Sequence, residues 1–543
     1  MLLFAAALGA VPVLALGHLA IGGDADLWAH LAAYVLPNAA LQTALLIGGV
    51  AVMTGIVGTG TAWLVTAFKF PGRDAFLWLL PLPLAIPTYI SAYIYVDMFD
   101  ALGAFQRMAR AWIGDSAVNL FLDLRSLPGA IFVMGLVLYP YVYLAARAAF
   151  QMQGAGAIEA ARALGASRWR ALRDIALPLA RPAIAAGLAL ALLETLNDIG
   201  ATEYLGIPTL TLSVFSTWLN RNSVSGAAQI ACCMLVVVAA LIAVERAARR
   251  RRSFTGVDHQ MPPERAALAG TQAWAATVAC ALPVALGFAL PLLYLLHQAT
   301  ARGLMSGFDP DIAGYAAATL VLAGCATVLT IGLGFGAALA ARFVGRRFGS
   351  AAIAAASLGY ALPGTILALG LLTPLVAIDG LLIALTEAAT GRHIGLMLTG
   401  SGAGLVIAYA VRFSAIAIGI GQAALLRIPR ELDDAARVSG ACGRDVLRTI
   451  HLPLARPALL AAALLVFVDC LKELPATLML RPLNSETLST YIYQFATRGS
   501  FEEGALAALL IVAVGILPVV RMMRLADRGF HGPVPAIPER RRD

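Results

Sequence analysis

A chain of 543 residues that is 60% hydrophobic and only 13% charged has too little polar surface for an ordinary soluble globule. Its net charge of +8 would suit a nucleic-acid partner, but the basic residues sit in short stretches between apolar runs and read as topology signals, so no nucleic acid is expected. Lys69 and Lys472 follow no glycine-rich run, which excludes a GxxxxGK[ST] phosphate loop, and six cysteines without CxxC or zinc spacing imply neither disulfides nor a fixed metal site.

Apolar runs that reach the ~20 residues needed to cross a hydrocarbon core recur along the chain. The first, 1–21, lacks a basic leader and an A-x-A-like site, and reads as a retained span. A second, 39–68, carries Gly48, Gly49, Gly55, Gly58 and Gly60 for close helix contact, and Lys69 and Arg73 mark an inner turn after it. The third, 74–97, holds Pro81, Pro83 and Pro87, which predicts a bent helix packed within protein. An outer segment at 98–126 follows, and a fourth span, 127–150, leads into a polar interruption.

That interruption occurs twice. The first copy reads Glu159-Ala160-Ala161-Arg162-Ala163-Leu164-Gly165, nine residues, then Ile175-Ala176-Leu177-Pro178. The second reads Asp434-Ala435-Ala436-Arg437-Val438-Ser439-Gly440, nine residues, then Ile450-His451-Leu452-Pro453. Each predicts a short alanine-rich helix, a left-handed turn at Gly165 or Gly440, and a second helix that Pro178 or Pro453 stops before the next span. Ser167 is placed to cap that second helix, whereas Cys442 in the other copy cannot do so in the same way. Pro429 opens the second copy, with Glu431, Asp433 and Asp434 at the positive end of its helix.

Beyond the first copy, a span ends near Asn197, an outer segment runs to Ser225, and a sixth span covers 226–244. The basic stretch to Arg265 is a linker. The second half repeats the plan with spans at 271–297, 313–341 and 350–376, an outer amphipathic segment at 379–399, and spans to 426, at 457–474 and at 504–520. The fold class is therefore an all-α polytopic membrane protein with about 12 spans in two homologous six-helix halves. Its domains are 1–245 and 269–521, joined by a linker at 246–268 and closed by a basic tail at 522–543. Twelve spans with both termini inside place most Arg and Lys on the inner face.

After each interruption a span ends in charge: Glu194, Asp198 and Glu203 in the first half, Asp469, Lys472 and Glu473 in the second. Ionisable groups are costly inside a bilayer and usually face a partner or a wet path, so these residues are candidates for a passage or gate between the halves. Asp469 and Lys472, three apart on one helix, are also placed to neutralise each other. Carboxylate oxygens without thiolates suit a hard trivalent cation, though they also suit other polar solutes.

The paired interruption, at about 155–180 and 429–456, resembles the EAA loop of binding-protein-dependent ABC importer permeases. Lys472-Glu473-Leu474-Pro475-Ala476-Thr477 and Asn197-Asp198-Ile199-Gly200-Ala201-Thr202-Glu203-Tyr204 resemble the segments beyond those loops in ferric-iron importer permeases. Asp434 stands where Glu is expected. The resemblance implies a fused, non-enzymatic permease of the bacterial inner membrane that receives iron(III) from a periplasmic binding protein. It further implies that Glu159, Ala160, Ala161, Gly165 and Pro178, with Asp434, Ala435, Ala436, Gly440 and Pro453, contact two cytoplasmic ATPase subunits. ATP and magnesium would bind those partners. Thiamine and phosphonate importers share the architecture, and a secondary transporter with internal repeats is the rival class.

Overall fold

The computed structural model describes residues 1–23, 25–100, 103–114, 123–152, 165, 167–250, 265–307, 309–392, 395–482 and 485–530. Among them, 11 helices are long and apolar enough to cross a membrane, and a twelfth crossing results if Arg73–Ala85 and Thr88–Phe99 form one broken span. Those two pieces meet at 89°, where Pro87 precedes the second helix. Proline supplies no N–H and locks its own backbone, so Pro81, Pro83 and Pro87 turn the expected bend into a break.

Each half is built on a long parallel pair, Leu36–Ala67 beside Leu127–Met152 and Ile312–Arg342 beside Ala403–Leu426, with contacts that advance together along both helices. Small residues let these backbones touch: a Cβ added at Gly58 would lie 2.8 Å from the Tyr139 carbonyl oxygen, and one at Gly334 would lie 2.4 Å from the Ala417 side chain. The first helix of each half, however, reaches across. Leu2–Ile21 packs on Arg346–Ala356 and Gly364–Thr390 of the second half, while Gly270–Val284 and Leu290–Ser306 pack on Leu36–Ala67 and Thr88–Phe99 of the first. A two-residue parallel pairing of Phe68–Lys69 with Ala266–Ala267 pins the end of the linker beside the first half. The halves are interlocked, so neither could separate without exposing apolar helix faces.

Three expected boundaries are corrected. Pro178 and Pro453 stop nothing: the helix continues from the elbow to Asn197 in one half and to Lys472 in the other. Each proline follows a π-turn, Leu172–Ala176 or Leu447–His451, closed by an i→i+5 bond from Leu177 N–H to the Leu172 carbonyl or from Leu452 N–H to the Leu447 carbonyl. The wider turn gives the pyrrolidine ring the room that an α-turn denies it. The same sequence of π-turn, leucine and proline recurs at Leu31–Val35 before Pro37 and at Ala285–Ala289 before Pro291.

The second correction concerns 379–399. Helix Gly364–Thr390 runs through its first half, and Asp379, 0% exposed, accepts bonds from the Met397, Leu398 and Thr399 N–H groups and the Thr399 hydroxyl at 2.7–3.0 Å. A buried carboxylate so fully met staples the returning loop to the middle of the helix, about three turns before its end. Third, the tail assigned to 522–543 begins as helix, since Phe501–Phe530 continues past Arg521. The rest of that tail and the middle of the linker lie outside the described residues.

Candidate functional site

The second polar interruption emerges as an elbow at one end of the bundle, and of the first the structure describes Gly165 and the helix that starts at Arg168. In the second, Arg430–Val438 is followed by Gly440 at φ +81°, and the turn closes with Gly440 N–H to the Arg437 carbonyl and Ala441 N–H to the Ala436 carbonyl, both at 3.0 Å. This double closure satisfies helix-end carbonyls and requires the left-handed residue that glycine provides. Cys442 then starts Gly443–Val446, its N–H donating to the Asp445 carboxylate at 3.1 Å in a reciprocal cap. Asp434, Ala435 and Val438 face outward, Val438 being 90% exposed, and Asp434 lies 3.9 Å from Arg437. In the first elbow Glu159, Ala160 and Ala161 lie outside the described residues, Gly165 has φ +87°, and Ser167 Oγ accepts from the Arg170 N–H at 3.3 Å.

The second elbow has a polar anchor that sequence inspection did not foresee. Asp433, 3% exposed, accepts from Arg342 Nε at 2.9 Å and lies 2.8 Å from His451 Nε2. Arg342 also donates to the carbonyls of Leu425 and Ile428. One buried network thus ties the elbow helix to the end of Ile312–Arg342, to the end of Ala403–Leu426 and to the π-turn of its own span. Burial pushes the Asp433 carboxyl up, but hydrogen bonds from His451 and Arg342 and the guanidinium charge outweigh it and hold the group below the usual carboxylate range. In the first half the corresponding places hold Thr66 or Ala67, Ile158 and Ala176, none of them ionisable. The only forewarning was Asp433 itself, a second acid beside Asp434 in an alanine-rich helix.

The path candidates converge, with one exception. Helices Leu177–Asn197 and Leu452–Lys472 rise from the elbows and end side by side. Around their ends is a cavity of about 80 Å³ lined by Glu194, Asp198, Asp469, Lys472 and Glu473. Glu194 and Asp469 occupy equivalent places in the two repeats, as do Asp198 and Glu473, so the cavity lies on the relation between the halves. Asp198 caps Ile199–Tyr204 by accepting from Ala201 N–H at 2.8 Å and also bonds Thr88, while Glu473 accepts from Ala476 N–H at 3.1 Å. Lys472 Nζ lies 2.8 Å from Asp469. Glu203 is elsewhere: it sits one helix length further from the elbows and accepts from the Tyr493 hydroxyl at 2.7 Å.

Arg412 and Asn197 complete the lining. Asn197 Oδ1 accepts from Arg412 Nη1 at 3.1 Å and from Gly364 N–H at 2.5 Å, a tie between the halves, and Arg412 lies 3.7 Å from Glu473. A lone arginine inside an apolar span was the signal that could have found it. The approach is tight, since a Cβ on Gly364 would lie 2.5 Å from Glu473 Oε1. Among the described residues, no group of three His, Cys, Asp or Glu side chains is arranged to hold a metal. The arrangement offers a charged, partly satisfied cavity at one level and two exposed elbow glycines at another, joined by continuous helices.

A family model described as binding-protein-dependent transport system inner membrane component matches residues 55–253 and again 331–532. The sulfate transport system permease protein CysT of Escherichia coli is 29% identical over 162 residues, 28% of this chain and 53% of that protein. The molybdenum transport system permease protein ModB of Escherichia coli is 31% identical over 141 residues, 26% of this chain and 59% of its own length. The chain therefore spans a little over half the length of these relatives. The Fe(3+)-transport system permease protein FbpB 2 of Haemophilus influenzae is 23% identical over 488 residues, 88% of each chain.

Proposed function

The chain belongs to the family of binding-protein-dependent transport system inner membrane components, and from that premise we propose that it is the fused permease of an ATP-driven importer for iron(III). Full-length similarity to a Fe(3+) permease supports the cargo, but similarity to sulfate and molybdenum permeases pulls the other way. The observation that favours iron(III) is the charge of the cavity. Four carboxylates, Glu194, Asp198, Asp469 and Glu473, line it against two cations, Arg412 and Lys472. Both cations are engaged, Lys472 by Asp469 at 2.8 Å and Arg412 by Asn197 at 3.1 Å. A dianionic cargo would meet carboxylates with no free cation to receive it, whereas a hard trivalent cation meets the oxygen donors it prefers.

In this reading a periplasmic binding protein delivers the ion at the end away from the elbows. Two cytoplasmic ATPase subunits bind ATP and magnesium and take hold of the elbows through Glu159, Ala160, Ala161 and Gly165 on one side and Asp434, Ala435, Ala436 and Gly440 on the other. Their closure moves the elbows, and the unbroken helices that pass Pro178 and Pro453 carry the motion to Asn197 and Lys472. The tie among Asn197, Gly364 and Arg412 then opens, the halves part, and access alternates. This chain performs no covalent chemistry.

The test is uptake by the complex reconstituted with its ATPase and binding protein in proteoliposomes. Radioiron(III) should accumulate with ATP and not without it, and excess sulfate or molybdate should not compete. Competition by either oxyanion, or uptake without an ATPase, would overturn the proposal.

A further inference from the structure

Two phenols in and beyond the cavity wall have no hydrogen-bond partner among the described residues. Tyr89 and Tyr93 stand one turn apart on Thr88–Phe99, 4% and 0% exposed, and neither hydroxyl has a hydrogen-bond partner among the described residues. A buried hydroxyl left unmet is costly, and phenylalanine would avoid that cost at either place. Two such costs on one helix face point to a second arrangement in which both oxygens are met.

Their surroundings indicate what meets them. Tyr89 lines the cavity together with Asp198. Tyr93 continues away from the elbows, its ring 5.8 Å from that of Tyr89 and 4.7 Å from that of Tyr204. Asp198 and Glu203 both lie within electrostatic reach of the Tyr93 hydroxyl, and Glu203 holds Tyr493 of the second half. Gly200 makes the room: a Cβ there would lie 2.8 Å from Tyr89 Cβ, 3.1 Å from the Tyr93 hydroxyl and 2.7 Å from Leu474 of the other half. Oxygen donors thus follow one another from Asp198 through Tyr89 and Tyr93 to Glu203 and Tyr493, along the seam between the halves.

We propose that this column is the route of the trivalent cation between the cavity and the far end, and that Tyr89 and Tyr93 bind it in transit through their phenolate oxygens when the halves part. The inference rests on the iron(III) reading above. Each phenol that ligates gives up its proton, and Asp198 and Glu203 stand beside it as acceptors. Several weak sites in series suit passage better than one strong cage, because a cargo must also leave.

The test uses the full-length permease with its ATPase and binding protein in proteoliposomes supplied with radioiron(III) citrate. Tyr89→Phe and Tyr93→Phe should each lower uptake about tenfold, as loss of a metal-binding contact does, with ATPase association unchanged. Their Tm should stay level or rise, because the unmet hydroxyl is gone. A merely structural tyrosine could not combine a level Tm with lost uptake. The wild-type complex trapped with vanadate during turnover should also show a visible phenolate-to-iron absorption that the double variant lacks. Wild-type uptake by the double variant, or its failure to assemble, overturns the proposal while leaving the iron reading intact. Absence of iron uptake by the wild-type complex overturns both.

Discussion

The two elbows share a left-handed glycine and a π-turn, but the residues that anchor the second have no ionisable counterparts in the first repeat. Gly165 and Gly440 turn at φ +87° and +81°, and a π-turn precedes Pro178 and Pro453 alike. Yet the second elbow is bolted to two helix ends and a π-turn by Arg342, Asp433 and His451, where the first repeat's sequence has Thr66 or Ala67, Ile158 and Ala176. Duplication preserved the geometry that lets an elbow exist and left free how firmly it is held. The second elbow should therefore behave as a stiff lever, held by a charged network whose three side chains the first repeat does not carry at the matching positions.

The largest break in that comparison is Asp433→Ala. It strands the Arg342 guanidinium without its carboxylate, an uncompensated buried charge that costs about 3–5 kcal/mol. Thermal unfolding of the full-length protein and amide exchange at 430–446 should both report the loss, while Ile158→Ala should leave the first elbow's exchange nearly unchanged. Equal effects at both sites would dissolve the distinction. Next in size is valine at the turn glycines, since a β-branched residue in the left-handed region costs about 1–2 kcal/mol. The Asp433 network leaves the second elbow no room to shift and relieve that strain, so Gly440→Val should lower cargo moved per ATP more than Gly165→Val does. The reverse order would assign the stiffness to the wrong half.

His451→Ala, which copies Ala176 of the first half, removes one bond to Asp433 and should cost about 1–2 kcal/mol, read as faster exchange confined to the second elbow. The smallest effect comes with pH. Because the folded Asp433 carboxyl is held below its ordinary value, its stabilisation is complete above that ordinary value, near pH 4, and is lost as pH falls through the lowered one. Exchange at the second elbow should be level from neutral pH to about 4 and accelerate below it. A step near pH 6 would contradict that assignment.

Much of this was legible in the residues, for identifiable reasons. Duplicated motifs at equal spacing disclosed the repeat, and apolar runs disclosed the spans. Charges at Glu194, Asp198, Asp469, Lys472 and Glu473 stood out because a bilayer penalises them, and they do meet in one cavity. Glu203 carried the same signal but faces Tyr493 instead, since the charge rule marks a residue without naming its neighbour. Pro178 and Pro453 were misread as terminators because a rule written for α-turns does not anticipate the π-turn that accommodates them.

By itself the sequence determined that this is a membrane bundle of two like halves with a glycine-turned elbow in each, because composition, period and local turn chemistry act over a few residues. Only the tertiary structure decided that the first helix of each half packs on the other, that Asn197 ties to Gly364 and Arg412, and that Asp433 finds Arg342 and His451. Those outcomes depend on which buried polar groups and which small-residue faces come together across long stretches of chain. Packing and the need to satisfy every buried charge select such partners, and no local pattern encodes them.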